Sequence, residues 1–185
     1  MSSASRLLGI VSLAMFGAVH PGIALAGQQT TLSPHAAQAV DCGGVQAEAD
    51  RAFAATDYVR AATASSQLLE LLRAGKATCS VDYAIALNNH ALNLDRLRRG
   101  AEAEPFFIEA LERKRAADGA QHPDVLVILH NYALMLEGLG RYSQAEPLFR
   151  EELQLSFALN GPASSDALDS LSAYAVTLAQ LVVRF

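Results

Sequence analysis

The side chains with the widest chemical range in this chain are five histidines and two cysteines. His20 falls within an apolar leader, which leaves His35, His90, His122 and His130. A histidine beside a carboxylate can act as a general base or, with further ligands, hold a metal. His130 is the strongest candidate, with Glu137 or Asp95 as its carboxylate, so a small metal-dependent or other enzyme around His130 is the alternative function to weigh. Little else supports it. No HExxH, phosphate loop or nucleophile motif is present. His35 lies in a Ser/Pro/Gln-bearing lead-in, His122 precedes Pro123 where capping a helix is its natural role, and His90 occupies a packing slot. One histidine near one carboxylate falls short of a catalytic constellation. No catalytic residue, metal or cofactor is therefore expected.

The elements that position these residues begin after a leader. Residues 1–6 are polar and singly basic, 7–19 are apolar apart from Gly9, Ser12 and Gly17, and His20-Pro21-Gly22 ends any helix there. Ala24-Leu25-Ala26 then offers small residues to a signal peptidase, so residues 1–26 read as a signal peptide cut between Ala26 and Gly27. The apolar run is too short to span a bilayer, and Gly27 is no lipid acceptor. The chain is expected to be exported, to the periplasm of a Gram-negative cell or otherwise secreted, without stable membrane insertion. Hydrophobic residues make up 51% of the chain, aromatics only 6%, and tryptophan is absent. Alanine and leucine dominate, which favours an all-α fold. The net charge is −5, and losing Arg6 makes it more negative, so no basic patch remains for nucleic acid.

A repeat decides the fold. Leu87-Asn88-Asn89-His90-Ala91-Leu92-Asn93-Leu94 returns 42 residues later as Leu129-His130-Asn131-Tyr132-Ala133-Leu134-Met135-Leu136. Ala103-Glu104-Pro105-Phe106-Phe107 returns at the same offset as Ala145-Glu146-Pro147-Leu148-Phe149. One further step carries Leu129, Tyr132, Ala133 and Leu136 to Leu171, Tyr174, Ala175 and Leu178, and one step back reaches a fainter copy. Leu129, Tyr132, Ala133, Leu136, Leu139 and Gly140 have the spacing of one buried helical face. Gly140-Arg141 breaks that helix, Ser143 with Glu146 offers a capping box for the next, and Pro147 sits near its start. Asn160-Gly161-Pro162 ends the unit. A single hairpin cannot bury both its stripes, whereas stacked neighbours can. The expected organisation is a flexible lead-in over 27–41, then units of about 42–79, 80–121 and 122–163, and a partial unit over 164–185.

The small residues Ala91, Ala133 and Ala175, the second small residues Ala103 and Ala145, and the aromatics Phe107 and Phe149 resemble the tetratricopeptide-repeat signature. The 42-residue spacing and the phrases "LNNHALNL" and "HPDV…LHNYALML…GRYSQAEPLF" are similar to the longer repeats of the kinesin light chain type. Glu152 departs from the pattern where alanine is preferred, and Ser65 replaces the aromatic in the first unit. The resemblance implies a right-handed superhelical array of antiparallel helix pairs, about three pairs plus a terminal helix, with first helices lining a concave groove. The groove face then carries Ile85, Asn88, Asn89, Leu92, Asp95 and Arg96 in one unit and Val127, His130, Asn131, Leu134 and Glu137 in the next. Asn89 and Asn131 are expected side by side, and similar asparagines in that family contact peptide backbone. The implied role is a scaffold or adaptor gripping an extended peptide or protein segment, its groove lacking the basic cluster that clamps a terminal carboxylate.

Two features remain. Cys42 and Cys79 bracket the first hairpin, whose ends lie at one pole, and an exported compartment permits a disulfide between them. In the last helix Val176, Ala179, Val182, Val183 and Phe185 spread apolar residues round most of the circumference. A polar outer face is what a capping helix needs, so a homodimer through this helix, a docked partner or a shortened repeat array is expected there.

Overall fold

The computed structural model describes residues 41–76 and 80–183. The leader 1–26, its cleavage point, the lead-in up to residue 40, Cys79 and Phe185 lie outside the described residues. Seven helices follow one another: α1 (Cys42–Ala54), α2 (Tyr58–Arg73), α3 (Tyr83–Arg96), α4 (Gly100–Asp118), α5 (Pro123–Gly138), α6 (Tyr142–Asn160) and α7 (Ser165–Val183). Each packs on the next, as antiparallel pairs in a tetratricopeptide-like array, and α3 also touches α5. The starts of α4 and α6 and their ends are each separated by the repeat of 42 read from the sequence.

Local chemistry sets the helix ends. The carboxylates of Asp41, Asp57 and Asp82 accept from backbone N–H groups of Gly43, Arg60 and Ala84. His122 does the same for Asp124 N, at 3.2 Å, with Pro123 opening α5 behind it. The turns inside the pairs place Thr56, Arg98 and Gly140, one repeat apart, in the left-handed region at φ 59°, 62° and 71°. Each turn is closed by the same backbone bond, such as Arg99 N to Leu94 O at 2.9 Å and Arg141 N to Leu136 O at 2.9 Å.

The expected capping box at Ser143 does not form. Helix α6 already starts at Tyr142, its cap position is Arg141 without a side-chain bond, and Ser143 points to solvent inside the first turn. Arg141 instead reaches across to Glu104 with two bonds of 2.6 and 2.7 Å. Pro147 lies within α6, past the first turn, on an exposed face.

Two apolar clusters run along the two ends of the helices. The first joins the N-terminal halves of α3 and α5 to the C-terminal halves of α2, α4 and α6, through Leu68, Leu69, Leu87, Leu111, Ile128 and Leu129. The second joins the opposite halves through Ala91, Leu94, Phe107, Ala133, Leu136 and Phe149. Ala91, Ala103, Ala133 and Ala145 are wholly buried, so methyl groups are all that stands between neighbouring helices there. Phe107 and Phe149 fill the space those alanines leave, and Phe107 stacks on Tyr132 at 5.8 Å. Tyr132 donates to Glu104 at 3.2 Å and, one repeat on, Tyr174 donates to Glu146 at 2.9 Å. The repeat therefore extends to individual hydrogen bonds.

It stops at α7. Leu171, Ala175 and Leu178 occupy the places of the buried Leu129, Ala133 and Leu136, yet all three are exposed, because no second helix of that unit lies over them among the described residues. Leu139, expected in the buried stripe, is also exposed, since α5 has ended and the chain is turning.

A charged knot that sequence reading missed ties three helix ends together. The Lys114 ammonium is buried and meets Asp82, Asp118 and Asp124 at 2.6, 2.7 and 2.7 Å. Hydrogen bonds to the three carboxylates, that of Asp118 foremost, push the Lys114 ammonium well above its usual value. Burial opposes ionisation of Asp82, but the bonds from Lys114 and from two backbone N–H groups win and hold it below the usual carboxylate range.

Two predictions follow the packing. Thr56→Gly and Arg98→Gly should each raise unfolding free energy by about 1 kcal/mol, since an L side chain in the left-handed region costs roughly 1–2 kcal/mol and neither residue is buried. Lys114→Met should lower it by about 3 kcal/mol, because it leaves three carboxylates facing one another. Urea titrations of the variants would measure both.

Candidate functional site

The face shared by α1, α3 and α5 is built by helices whose opposite sides are fixed in the core. On it Val127 and Leu134, about two turns apart on α5, are exposed at 47% and 43%, high for apolar residues. Ile85, Asn89, Leu92, Asp95, His130, Asn131 and Glu137 are half-buried, and Arg96 is exposed. Between α1 and α3 lies a depression of about 170 Å³ lined by Ala49, Asp50, Phe53, Asn89, Leu92 and Asn93. That volume suits one side chain. Burial raises the carboxyls of Asp95 and Glu137 above their ordinary values, and these two residues are one repeat apart on the face.

Asn88 is not on the open face. Only 3% of it is exposed, because α3 and α5 approach closely there and α5 covers it. Asn131 Nδ2 donates to Asn88 Oδ1 at 3.1 Å, and Asn88 Nδ2 donates to Asn89 Oδ1 at 3.2 Å. The expected side-by-side pair is thus a ladder of three amides, with Asn88 as the buried rung between Asn131 and Asn89. Asn131 spends its nitrogen and Asn89 its oxygen on this ladder. The complementary Asn131 oxygen and Asn89 nitrogen form no side-chain hydrogen bond among the described residues, and so are left to serve a ligand.

His130 meets neither Glu137 nor Asp95. Its Nδ1 lies 3.0 Å from Oε1 of Glu152, reaching across from α5 to α6. Glu152 is buried, and the same oxygen accepts from Ser170 Oγ of α7 at 2.8 Å. Hydrogen bonding to Glu152 raises the His130 imidazole above its ordinary value. The grouping contains Ser, His and Glu, but Ser170 donates to the glutamate and not to the histidine, and it is itself buried. No base is placed to activate a nucleophile. The trio braces three successive helices. The departure from alanine at Glu152 was a sequence signal for this site, although its partners could not be read from it.

His90 is similarly structural. In the first unit Ser65 stands where Phe107 and Phe149 stand later, and the vacated space holds a polar trio. Ser65 Oγ lies 2.8 Å from His90 Nδ1, and Asn93 Nδ2 donates to the same hydroxyl at 3.1 Å. The His90 ring sits edge-on to Phe106 at 4.7 Å. Burial, then the positive charges of Arg73 and Arg99, push the imidazole down to about 4. Cys42 opens α1, is fully buried and is not a free thiol. Among the described residues, no group of three His, Cys, Asp or Glu side chains could hold a metal, and no helix is long and apolar enough to cross a membrane.

Residues 82–156 match the tetratricopeptide repeat family. That stretch, from α3 into α6, is similar to tetratricopeptide repeats. No catalytic family is found in it. Among solved structures it is similar to the crystal structure of BtubC (BKLC) from P. vanneervenii, at 19% sequence identity and a TM-score of 0.58. The likeness covers 75% of this chain and 59% of that one, so this chain spans less than two thirds of its relative, and at that identity the likeness concerns the fold. No curated protein matches the sequence. Tetratricopeptide repeats imply protein partners in general.

The two histidines give opposite pH signatures. The folded value of His90 lies below 6.5, so its contribution to stability is present above that pH and is lost as pH falls toward about 4. The folded value of His130 lies above 6.5, so its contribution is present below that pH and is lost as pH rises through the folded value. His90→Tyr should therefore flatten the acid side of the urea-midpoint profile, and His130→Gln the neutral-to-alkaline side.

Proposed function

We propose that the protein is an exported scaffold that holds an extended peptide segment of a partner protein along the face of α1, α3 and α5. The Asn131–Asn88–Asn89 ladder carries this reading. A buried central amide fixes the two outer ones, so they can offer an acceptor and a donor to a strand-like backbone with little entropy left to lose. Val127, Leu134 and Leu92 flank the ladder as receivers for apolar side chains, and the depression beside Phe53 accommodates one of them. Asp95, Glu137, Arg96 and His130 edge the face with mixed charge, which favours a segment of mixed apolar and polar character and disfavours nucleic acid.

Export rests on the leader sequence. It is consistent with a disulfide between Cys42 and Cys79, which would close the first hairpin and stabilise it by roughly 3–4 kcal/mol. That hairpin is the one whose core contains Ser65 in place of an aromatic. The pairing is supported by Cys42 being buried and not free.

The groove is tested by replacing both Asn89 and Asn131 with alanine. A partner peptide recovered by cross-linking should lose about 1–3 kcal/mol of affinity, roughly 5- to 150-fold, with helix content unchanged; unchanged affinity would place the ligand elsewhere. For the disulfide, alkylation of the exported protein without reductant should leave its intact mass unaltered, and reduction should expose two alkylatable thiols.

A further inference from the structure

The repeat lets one gap between helices be compared with the next. Between α4 and α6, Glu104 accepts from Tyr132 at 3.2 Å and from two guanidinium nitrogens of Arg141 at 2.6 and 2.7 Å. One repeat earlier, between α2 and α4, the same three positions are Ala62, His90 and Arg99. The arginine is kept, an imidazole replaces the phenol, and the carboxylate that joins them is absent.

In its place is a cavity of about 630 Å³, with Ala62, His90 and Arg99 all in its lining. Val59 from α2, Leu94 from α3, Leu97 from the turn and Phe106 from α4 give it apolar walls. It lies on the side of α3 opposite to Asn89 and Leu92, away from the peptide groove. That volume, with apolar walls and a few polar groups, is typical of a small-molecule site.

Its polar groups are donors. His90 is only 7% exposed, and its Nε2 has no partner among the described residues. Its Nδ1 lies 2.8 Å from the Ser65 hydroxyl, which accepts from Asn93. The hydroxyl has one proton to give, and Nδ1 is a closer acceptor than Ala62 O at 3.1 Å. A neutral imidazole that accepts at Nδ1 carries its own proton on Nε2. His90 thus offers a donor, as the Tyr132 hydroxyl does one repeat on. Arg99 gives Nε and Nη2 to Glu102, at 2.7 Å each, and its Nη1 has no partner among the described residues. Both side chains of that pair are half exposed or more, so it holds the guanidinium only weakly. In the next gap Gln144 takes the place of Glu102, and Arg141 turns both Nη groups to Glu104.

We propose that this cavity binds a small monocarboxylate with an apolar body. The ligand carboxylate takes the role that Glu104 has in the next gap, accepting from Arg99 and His90, and the body lies against Leu94, Leu97 and Phe106. A second negative charge on the ligand is disfavoured, because Glu102 stands beside Arg99. The site is independent of the peptide groove, since its residues lie on α2, the far side of α3 and α4.

Phenylacetate and 4-methylpentanoate are suitable probes, with phenylacetamide as the uncharged control, and calorimetric titration of the full chain reads their binding. At least one acid should bind with a Kd of about 1 mM or tighter, and phenylacetamide should bind roughly 10- to 100-fold more weakly than phenylacetate. Arg99→Gln should weaken binding of the acid by a similar factor. Glu102→Gln, which copies the next unit, should tighten it by roughly 2- to 5-fold. Ala62→Glu should abolish it with the circular dichroism of the parent, because the variant supplies the missing carboxylate itself. The Asn89/Asn131 double variant should bind the acid like the parent, which separates this cavity from the groove. Absence of binding by both acids up to about 10 mM, equal affinity for phenylacetamide, or binding that survives Arg99→Gln or a folded Ala62→Glu protein would each overturn the proposal.

Discussion

Two helices can approach closely only where nothing larger than a methyl group lies between them. Ala91, Ala103, Ala133 and Ala145 provide that condition at the two ends of the same turn in successive units, and all are excluded from solvent. The other features of the array depend on this spacing. Phe107 and Phe149 have pockets because the helices beside them are held at that distance, and Tyr132 and Tyr174 reach Glu104 and Glu146 for the same reason. Dense packing also explains why the array is one-dimensional. Each hairpin buries one stripe internally and needs a neighbour for the other, so every unit is both supported and supporting as far as α7, whose outer face no described helix covers.

Within this frame, several polar residues enter the core as nearly complete sets, whereas the buried hydroxyls of Ser156 and Thr177 have no partner among the described residues. Ser65 is admitted because His90 and Asn93 bond to its hydroxyl. Glu152 is admitted because His130 and Ser170 converge on one of its oxygens, although its other oxygen has no partner among the described residues. Lys114 is admitted because three aspartates from three helix ends surround it. A buried polar group without such partners costs several kcal/mol, so each substitution away from the apolar repeat entails changes at other positions. These sets make the units distinct from one another, and with them the order in which the units stack.

The amide ladder follows the same logic on the open face. Asn88 is buried by the approach of α5, and its two bonds hold Asn131 and Asn89 in place. A face of free asparagines would be merely solvated surface; a face with a fixed central amide presents ordered donors and acceptors. The difference arises from the contact between α3 and α5, which is a consequence of stacking and not of either helix alone.

By itself the sequence determined the all-helical class, the 42-residue register, the small-residue positions and the capping role of His122. These are legible because they depend on spacing along one chain and on local backbone chemistry. The wheel of a single helix also gave the direction in which each groove residue leaves its axis. It cannot say which neighbour covers that direction: the wheel puts Asn88 in the open, whereas α5 buries it, and it pairs Asn89 with Asn131 across a gap that Asn88 fills. The wheel matches His130 to carboxylates near it, whereas its partner Glu152 comes from α6; Lys114 gives no signal because only Asp118 is its neighbour along α4, while Asp82 and Asp124 come from the starts of α3 and α5. The Ser143 capping box failed for a related reason: the tight turn at Gly140 starts α6 earlier than the motif suggests, and Arg141 is drawn off to Glu104 on α4. Contacts between helices decided each of these, since burial and charge pairing depend on distance through space, which only the stacked array fixes.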